Sequence, residues 1–417
     1  MIHHSKLNKI ILTAIITIFA TIAYAQPEQK RQFDKKNLNE FSDYMDNIAT
    51  EELFSGVVLI AKGDTSLFEN AYGMADKSQN VLNNIDTKFN LGSIAKMFTS
   101  VAITQLVEQR KLSFDDVITK YVTDFPDEIA NKITISQLLT HTSGLGDIFT
   151  PAYMEHKDEV ETIEDFMQYI INQPLRFEPG TQHQYSNGGF IVLGYIIEKV
   201  SGENYYNYIR KHITEPLEMN NTGFYKKNES VPNLAHGYTN MNAGMPQLPP
   251  LDGQPRRILR TPDGEEKTVE QDDNLPPPNG QPQRILMPPP SEGKNAIWED
   301  NFSTLPLIGN PSGGAYSTVK DMLKFSSALT TNTLLSKEYT DIMMTGKVDT
   351  PMGKYGYGCE IMVENGYHTV GHSGGAPGIN AIFRIFTDED YTVIILSNYE
   401  AAVHHPYEEI IKRYLSF

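Results

Sequence analysis

The fold is organised around one stretch, Phe89-Asn90-Leu91-Gly92-Ser93-Ile94-Ala95-Lys96-Met97-Phe98-Thr99-Ser100-Val101-Ala102-Ile103. Gly92 and Ser93 mark the turn into a predicted helix that ends near Lys111. The apolar residues that follow Ser93 cover nearly the whole circumference of this helix. A helix that is apolar all round is a central core helix rather than a surface helix. The sequence therefore predicts that this helix is buried in the middle of the fold.

One polar residue in this helix, Lys96, does not fit a purely structural role. Residues three positions apart share a helix face, so its amine is expected beside the Ser93 hydroxyl. Burial lowers the pKa of a lysine, and a neutral amine can accept the serine proton. The positive end of the helix dipole would stabilise the alkoxide that forms. An N-cap serine and a lysine that reaches solvent give the same spacing, so the pair needs further support.

Composition excludes several classes of function. The chain has 417 residues and a formal net charge of −17, which argues against binding to nucleic acid or to an anionic membrane surface. Hydrophobic residues make up 40% of the chain, enough for a large core. Cys359 is the only cysteine, so an intrachain disulfide is impossible.

Residues 1–25 are typical of a signal peptide. Lys6 and Lys9 precede an apolar run, and Ala23-Tyr24-Ala25 is a small-x-small cleavage site. Cleavage after Ala25 predicts a periplasmic or secreted protein with no membrane insertion. The alternative is an uncleaved N-terminal anchor, which the short apolar run disfavours.

Strand patterns occur at both ends of the chain and helical patterns in between. A hairpin is predicted from Phe54 to Tyr72, and alternating runs separated by turns follow Tyr355. Residues 112–240 are mainly helical in pattern, with a helix predicted over Ile163 to Ile171. The sequence thus predicts an α+β fold, in which an antiparallel sheet built from both termini is flanked by helices and a helical subdomain is inserted between.

A Pro-rich segment at 241–297 interrupts this pattern. Leu248-Pro249-Pro250 and the residues after it recur from Leu275-Pro276-Pro277. Such composition favours an extended surface insertion over a flap that contacts substrate or a partner. We therefore expect residues 26–417 to form a single catalytic domain (about 35–415) that this insertion interrupts.

Two later segments carry side chains that suit the chemistry of Ser93. Tyr185-Ser186-Asn187 is turn-rich, but a tyrosine near a lysine is either held ionised or relays a proton to a leaving group. Asn187 can donate its amide to a substrate carbonyl. His372-Ser373-Gly374-Gly375 is predicted to end a strand and begin a loop, and its backbone N–H groups would join that of Ser93 in an oxyanion hole.

Other candidate sites are weaker. Gly371 to Gly375 also fits the Gly-x-Ser-x-Gly nucleophile elbow, which would make Ser373 the nucleophile, but no helix pattern follows it. A metal site is not indicated, because no His-Glu-x-x-His is present and Cys359 is alone. The pair His404-His405 is expected on a surface helix. No glycine-rich loop for a cofactor follows a strand with the required spacing.

The ordered set of motifs resembles the penicillin-recognising serine hydrolases, most nearly the class C β-lactamases, DD-peptidases and related esterases. The likeness covers residues 35–240 and 298–415. The motifs that carry it are Phe89-Asn90-Leu91-Gly92-Ser93-x-x-Lys96, Leu138-Leu139-Thr140-His141-Thr142-Ser143-Gly144-Leu145, Tyr185-x-Asn187, Gly313-Gly314-Ala315-Tyr316-Ser317 and His372-x-Gly374.

This resemblance implies a role for each motif residue. Ser93 would be the acylated nucleophile, and Lys96 and Tyr185 would share the proton transfers. Asn187 would orient the substrate, and the N–H groups of Gly375 and Ser93 would hold the oxyanion.

The third motif differs from that of some members. Where they have Lys-Thr-Gly, with a lysine that binds a substrate carboxylate, this chain has His372. Histidine is mostly neutral at pH 7. This favours an esterase or a D-amino-acid peptidase or amidase over an efficient β-lactamase.

The resulting hypothesis is a serine hydrolase that acts through a covalent acyl-enzyme on an ester, amide or D-amino-acid peptide bond. Its partner would be a small-molecule or peptide substrate, with no nucleic acid, cofactor or metal. A catalytically silent penicillin-binding sensor on the same fold and a true class C-like β-lactamase stay open as alternatives. The sequence does not indicate the oligomeric state.

Overall fold

Strands from both ends of the chain form one large sheet, as the sequence predicts. The computed structural model describes residues 35–123, 125–240, 257–260, 266–269 and 297–414. Its strands are β1 (Gly56–Lys62), β2 (Thr65–Tyr72), β3 (Met74–Asp76), β4 (Val81–Leu82), β5 (Phe89–Asn90), β6 (Tyr238–Asn240), β7 (Arg257–Arg260), β8 (Glu266–Val269), β9 (Trp298–Asp300), β10 (Tyr316–Ser317), β11 (Val348–Thr350), β12 (Gly353–Tyr355), β13 (Glu360–Glu364), β14 (Tyr367–Ala376), β15 (Ile379–Phe386) and β16 (Tyr391–Ser397). The sheet has the order β11-β12-β13-β14-β15-β16-β1-β2, and all its pairings are antiparallel.

Helices from the middle of the chain and from its two ends accompany the sheet. They are α1 (Lys35–Thr50), α2 (Lys96–Glu108), α3 (Asp127–Ala130), α4 (Ile135–Leu139), α5 (Pro151–His156), α6 (Ile163–Met167), α7 (Asn187–Ser201), α8 (Tyr205–Ile209), α9 (Val319–Thr330), α10 (Lys337–Met344) and α11 (His404–Tyr414). This mixture of an antiparallel sheet with an inserted helical region confirms the predicted α+β class.

Each face of the sheet is covered by its own apolar cluster. Along β1, Val57, Leu59 and Ala61 belong to the cluster that contains the central helices. Val58 and Ile60 belong to the cluster that contains the terminal helices α1 and α11. Because successive side chains of a strand point to opposite faces, β1 is buried on both sides. This explains why the strand is almost uniformly apolar.

The predicted central helix is α2, which is buried along nearly its whole length. Ser93 lies just before it, in the 3₁₀ turn Gly92–Ala95. Gly92 has a φ of +52°, a conformation that favours glycine. The turn contacts β14 and β15, while α2 contacts α7 of the helical region. Ser93 is thereby placed where the sheet and the helical region meet.

The structure corrects three predicted boundaries. The expected loop at His372 is strand, because Gly374 and Gly375 continue the ladder with β15, so β14 ends at Ala376. The helix predicted over Ile163 to Ile171 ends at Met167, after which the backbone N–H groups of Tyr169 and Ile170 bond to the carbonyl three residues earlier. The stretch from 73 to 87, whose polar sequence predicts an irregular segment, contains the short paired strands β3 and β4.

The predicted signal peptide and most of the Pro-rich insertion lie outside the described residues. Within the insertion, β7 and β8 pair with each other. On either side of it, β6 pairs with β9. The two ends of the insertion are therefore adjacent in the fold.

Candidate active site

Lys96 lies at the centre of the candidate site, and its side chain is completely buried. Its Nζ lies 3.3 Å from Ser93 Oγ, 2.7 Å from Asn187 Oδ1 and 2.5 Å from the carbonyl oxygen of Ser312. Ser312 belongs to a loop that Asn310 holds in place through its Oδ1, which accepts from the Ser312 backbone N–H. Three separate parts of the chain thus converge on one amine.

The contacts of Lys96 suit the uncharged form of its amine as well as the charged form. The Ser312 carbonyl and Asn187 Oδ1 can only accept hydrogen bonds, and they use the two N–H groups of an uncharged lysine. In the uncharged lysine the lone pair then faces the Ser93 hydroxyl, whereas the ammonium form donates its third N–H to Ser93 Oγ. Burial lowers the pKa of Lys96 to about 7, and the negative charge of Asp147 partly opposes this shift. A lysine with this pKa is a competent general base near neutral pH.

Tyr185 contacts both Ser93 and Lys96. Its hydroxyl is hydrogen-bonded to Ser93, and its ring centroid lies 4.7 Å from Lys96 Nζ. Although 36% of the residue's surface is exposed, burial of the hydroxyl raises the pKa of Tyr185 above its ordinary value. The resting tyrosine is therefore protonated, which favours the predicted proton relay over a tyrosine held ionised.

The orientation of Asn187 is fixed by a residue that the sequence analysis did not identify, Asp147. The Asp147 carboxylate accepts from Asn187 Nδ2 at 2.9 Å and from the Asn187 backbone N–H at 3.3 Å. These bonds settle which end of the amide is oxygen, and that oxygen faces Lys96. In this arrangement Asn187 positions the lysine, and its expected bond to a substrate carbonyl stays a prediction.

The third motif approaches the nucleophile through its glycines. A Cβ added to Gly374 would lie 2.0 Å from the carbonyl oxygen of Leu91 and 3.2 Å from the Ser93 nitrogen. A Cβ added to Gly92 would lie 2.9 Å from the nitrogen of Gly375. Only residues without a side chain allow β14 to come this close to the turn that carries Ser93. The two nitrogens assigned to the oxyanion hole therefore lie in the same small region.

His372 completes the set of predicted site residues. It is buried, with 1% of its surface exposed, and its ring centroid lies 6.4 Å from that of Tyr185. Burial lowers the pKa of His372 to about 4, although the nearby carboxylate of Glu360 opposes this shift. The histidine is therefore neutral at pH 7. All seven predicted residues, Ser93, Lys96, Tyr185, Asn187, His372, Gly374 and Gly375, are brought to one site.

Ser373 does not have the surroundings of a nucleophile. Its hydroxyl donates to Glu360 Oε1 at 2.8 Å, and Glu360 in turn is ion-paired with Arg384. The residues after Ser373 continue as strand and then return in β15. The nucleophile elbow requires a helix directly after the serine, so the structure does not provide its context.

The sequence analysis missed Asp147 and Ser312 for different reasons. Asp147 lies six residues after His141 and just beyond the motif that ends at Leu145. The sequence analysis used that motif only for the family resemblance, and no pattern indicated a role for the Asp147 carboxylate. Ser312 contributes a backbone carbonyl, which no side-chain pattern can reveal. The turn-forming composition of Pro311-Ser312-Gly313-Gly314 was the available hint.

The part of the chain that the structure describes contains no group of three or more His, Cys, Asp or Glu side chains arranged to hold a metal ion. Within the same residues, no helix has the length and apolar character needed to span a bilayer.

A Ser-x-x-Lys turn between an antiparallel sheet and a helical region places the chain among proteins with the fold of β-lactamases and penicillin-binding proteins. The chain belongs to the Beta-lactamase family, which it matches over residues 41–412. This confirms the family that the motifs resemble.

Curated relatives include two penicillin-binding proteins of Bacillus subtilis (strain 168). Penicillin-binding protein 4* is 27% identical over 386 residues, which cover 88% of this chain and 74% of that protein. PbpX is 33% identical over 227 residues, which cover 52% of this chain and 56% of that protein. The match with PbpX thus spans only about half of either chain.

Solved structures share the fold over most of its length. A penicillin-binding protein from Bacillus halodurans has a TM-score of 0.70 at 26% identity, covering 88% of this chain and 98% of that one. A D-amino acid amidase from Ochrobactrum anthropi SV3 has a TM-score of 0.69 at 20% identity, covering 90% and 98%. At that identity the second comparison shows the fold alone.

Proposed function

We propose that this protein is a serine hydrolase that acts through a covalent acyl-enzyme on Ser93. The observation that carries this proposal is the buried Lys96 amine, which lies 3.3 Å from Ser93 Oγ while its other partners are acceptors. Such a pair is an activated nucleophile, because the base is already in place and, with its pKa lowered to about 7, a large fraction of it is uncharged at neutral pH.

Acylation follows from these contacts. Ser93 Oγ attacks the substrate carbonyl carbon as its proton passes to Lys96 Nζ. The carbonyl oxygen becomes an oxyanion, which accepts from the N–H groups of Ser93 and Gly375. When the bond to the leaving group breaks, Tyr185 donates its hydroxyl proton to the departing oxygen or nitrogen. The proton held by Lys96 then restores the tyrosine.

Deacylation reverses this sequence with water. A water molecule gives its proton to the base and attacks the acyl carbon, and the collapsing intermediate returns a proton to Ser93 Oγ. Asn187 and Ser312 keep Lys96 in place through both halves, because they hold its two N–H groups. The enzyme therefore ends the cycle in its starting protonation state.

The proposed substrates are esters, amides or D-amino-acid peptides. The neutral His372 stands where some relatives have a cationic lysine, which supports this choice over efficient β-lactam hydrolysis. Penicillin, for which the relative penicillin-binding protein 4* is named, contains an amide-type carbonyl, and this supports an amide among the candidate substrates. We further propose that the protein is exported, because residues 1–25 have the features of a cleavable signal peptide.

Pre-steady-state kinetics with an activated ester test this function. The mature protein is expected to release a burst of leaving group equal to the amount of enzyme, followed by slower turnover, because an acyl-enzyme accumulates. Ser93→Ala is expected to lose both phases. A burst without later turnover of any ester, amide or peptide would indicate the silent sensor, and full activity in Ser93→Ala would overturn the proposal.

A further inference from the structure

Tyr355, at the end of β12, joins two histidines that come from different parts of the fold. Its hydroxyl lies 3.1 Å from His141 Nε2 and 2.9 Å from His372 Nε2. All three residues are buried. His141 belongs to the loop after α4, and His372 lies on β14. The tyrosine therefore connects the helical region with the strand that borders Ser93.

The direction of this hydrogen-bond chain is fixed at both ends. At one end, the Ser186 backbone N–H donates to His141 Nδ1 at 3.1 Å. At the other, the carbonyl of Ser373 lies 2.6 Å from His372 Nδ1 and can only accept. His141 therefore carries its proton on Nε2 and His372 carries its proton on Nδ1. Tyr355 accepts from the first imidazole and donates to the second.

We propose that Tyr355 is a positioning residue that holds His372 as the neutral imidazole protonated on Nδ1, so that the site accepts an uncharged substrate group beside this strand. The substrate part of this inference rests on the proposed hydrolase function. The tautomer part rests on the hydrogen bonds alone.

A second proton on His372 would disrupt this series of hydrogen bonds. It would have to sit on Nε2, where the Tyr355 hydroxyl already donates. Tyr355 would then receive two N–H groups, and its own proton would have no acceptor among these partners. An unpaired buried donor is unfavourable. The low pKa of His372 agrees with this geometry.

Among the residues that the structure describes, the other groups around His372 do not supply a free cation for a substrate carboxylate. Arg384 is ion-paired with Glu360, and Lys96, whose pKa is lowered to about 7, is uncharged in the form of the enzyme that reacts. Three titratable groups lie near the His372 ring: Tyr355 at 2.9 Å, Glu360 at 3.8 Å, and Tyr185 at a ring-centroid distance of 6.4 Å. Lys96, Arg384 and His141 interact with His372 electrostatically. A substrate group beside this strand therefore meets a neutral donor-acceptor surface.

Imidazole ¹⁵N spectra of the full mature chain test the tautomer directly. With the His372 signals assigned from a His372→Asn variant, the wild type is expected to keep the neutral Nδ1–H pattern down to about pH 5.5, below the ordinary histidine pKa. Titration near the ordinary pKa, or a proton on Nε2, would overturn the proposal. These spectra require no turnover, so an inactive protein would count against the proposed function while the spectra still decide this inference.

Tyr355→Phe tests the role of the tyrosine, with Tyr357→Phe as the matched control. Tyr357 is also buried, but its hydroxyl bonds to Ser136. Loss of the Tyr355 hydroxyl is expected to raise the His372 titration midpoint by roughly one pKa unit, and Tyr357→Phe is expected to leave it unchanged. No change in Tyr355→Phe, or an equal change in the control, would overturn the proposal.

A matched pair of aryl esters tests the consequence for substrates. p-Nitrophenyl butyrate and p-nitrophenyl hemisuccinate differ only at the end of the acyl chain, which is a methyl group in the butyrate and a carboxylate in the hemisuccinate. The wild-type ratio of their kcat/KM values is expected to stay constant between about pH 5 and about pH 8, above the pKa of the carboxylate. In Tyr355→Phe, kcat/KM for the hemisuccinate relative to the butyrate is expected to rise roughly two- to fivefold at the acidic end of this range, through a lower KM for the hemisuccinate. The same gain in the wild type would overturn the substrate inference.

Discussion

Asp147 holds Asn187 by two groups, the side-chain amide at 2.9 Å and the backbone N–H at 3.3 Å. These two hydrogen bonds orient Asn187 Oδ1 toward Lys96 Nζ, which lies 2.7 Å away. Asp147 also raises the pKa of Lys96 through its charge, against the larger effect of burial. One carboxylate therefore influences both the position and the basicity of the proposed general base.

Asp147→Asn is expected to move the acid limb of the acylation rate to lower pH. Removing the negative charge leaves burial unopposed, so the pKa of Lys96 falls further. The measurement is kcat/KM for an activated ester as a function of pH. Asp341→Asn is the control, because Asp341 forms an exposed pair with Lys337. A midpoint that stays in place or moves to higher pH would contradict the assignment.

Lys96→Ala is expected to slow acylation by about 10²- to 10⁴-fold, the usual contribution of a positioned general base. Lys88→Ala is a matched control, since Lys88 is also buried but donates to the Pro232 carbonyl. Stopped-flow acylation rates together with circular dichroism separate lost catalysis from lost structure. Near-wild-type acylation in Lys96→Ala would refute the role of the lysine.

The rate of acylation in the wild type is expected to rise with pH and level off above about 7, the pKa of Lys96. The sign follows from the chemistry, because only the neutral amine has a lone pair to take the Ser93 proton. Below that pKa the rate should fall about tenfold per pH unit, in proportion to the neutral fraction. A rate that is flat or decreases over about pH 5 to 8 would rule out this base.

Gly374→Ala and Gly375→Ala form a matched pair of neighbouring substitutions. The methyl group at 374 would overlap the Leu91 carbonyl oxygen, 2.0 Å from its ideal position, and displace the turn that carries Ser93. At 375 no neighbouring atom is nearer than 3.9 Å. Acylation is expected to fall at least about 100-fold in Gly374→Ala, the order of losing one oxyanion donor, and to change little in Gly375→Ala. Equal effects would contradict the close approach of β14.

Periodic patterns were sufficient to predict the frame of the fold. The apolar circumference after Ser93 predicted the buried α2, and alternation with turn residues predicted the hairpin β1–β2 and the strands β15 and β16. These signals are local, because they depend on which face of one element is buried. The prediction of one antiparallel sheet needed only the further inference that the two ends of the chain meet, whereas the order of its strands was not predicted.

The parts that could not be predicted depend on contacts between distant segments. Gly374 and Gly375 have the composition of a turn, yet pairing with β15 makes them strand. Asp147 and Tyr355 became relevant only once folding placed their oxygens beside Asn187 and His372. The local sequence of a segment does not indicate which distant residues that segment will contact. The seven predicted site residues were nevertheless found together, because the motifs around them have a specific order.

Mass spectrometry after covalent labelling tests the central claim most directly. The mature protein is treated with a fluorophosphonate or a labelled penicillin, digested, and the modified residue is identified. The account predicts fluorophosphonate labelling at Ser93, its loss in Ser93→Ala, and its full retention in Ser373→Ala. Labelling at Ser373, or undiminished labelling of Ser93→Ala, would contradict the account.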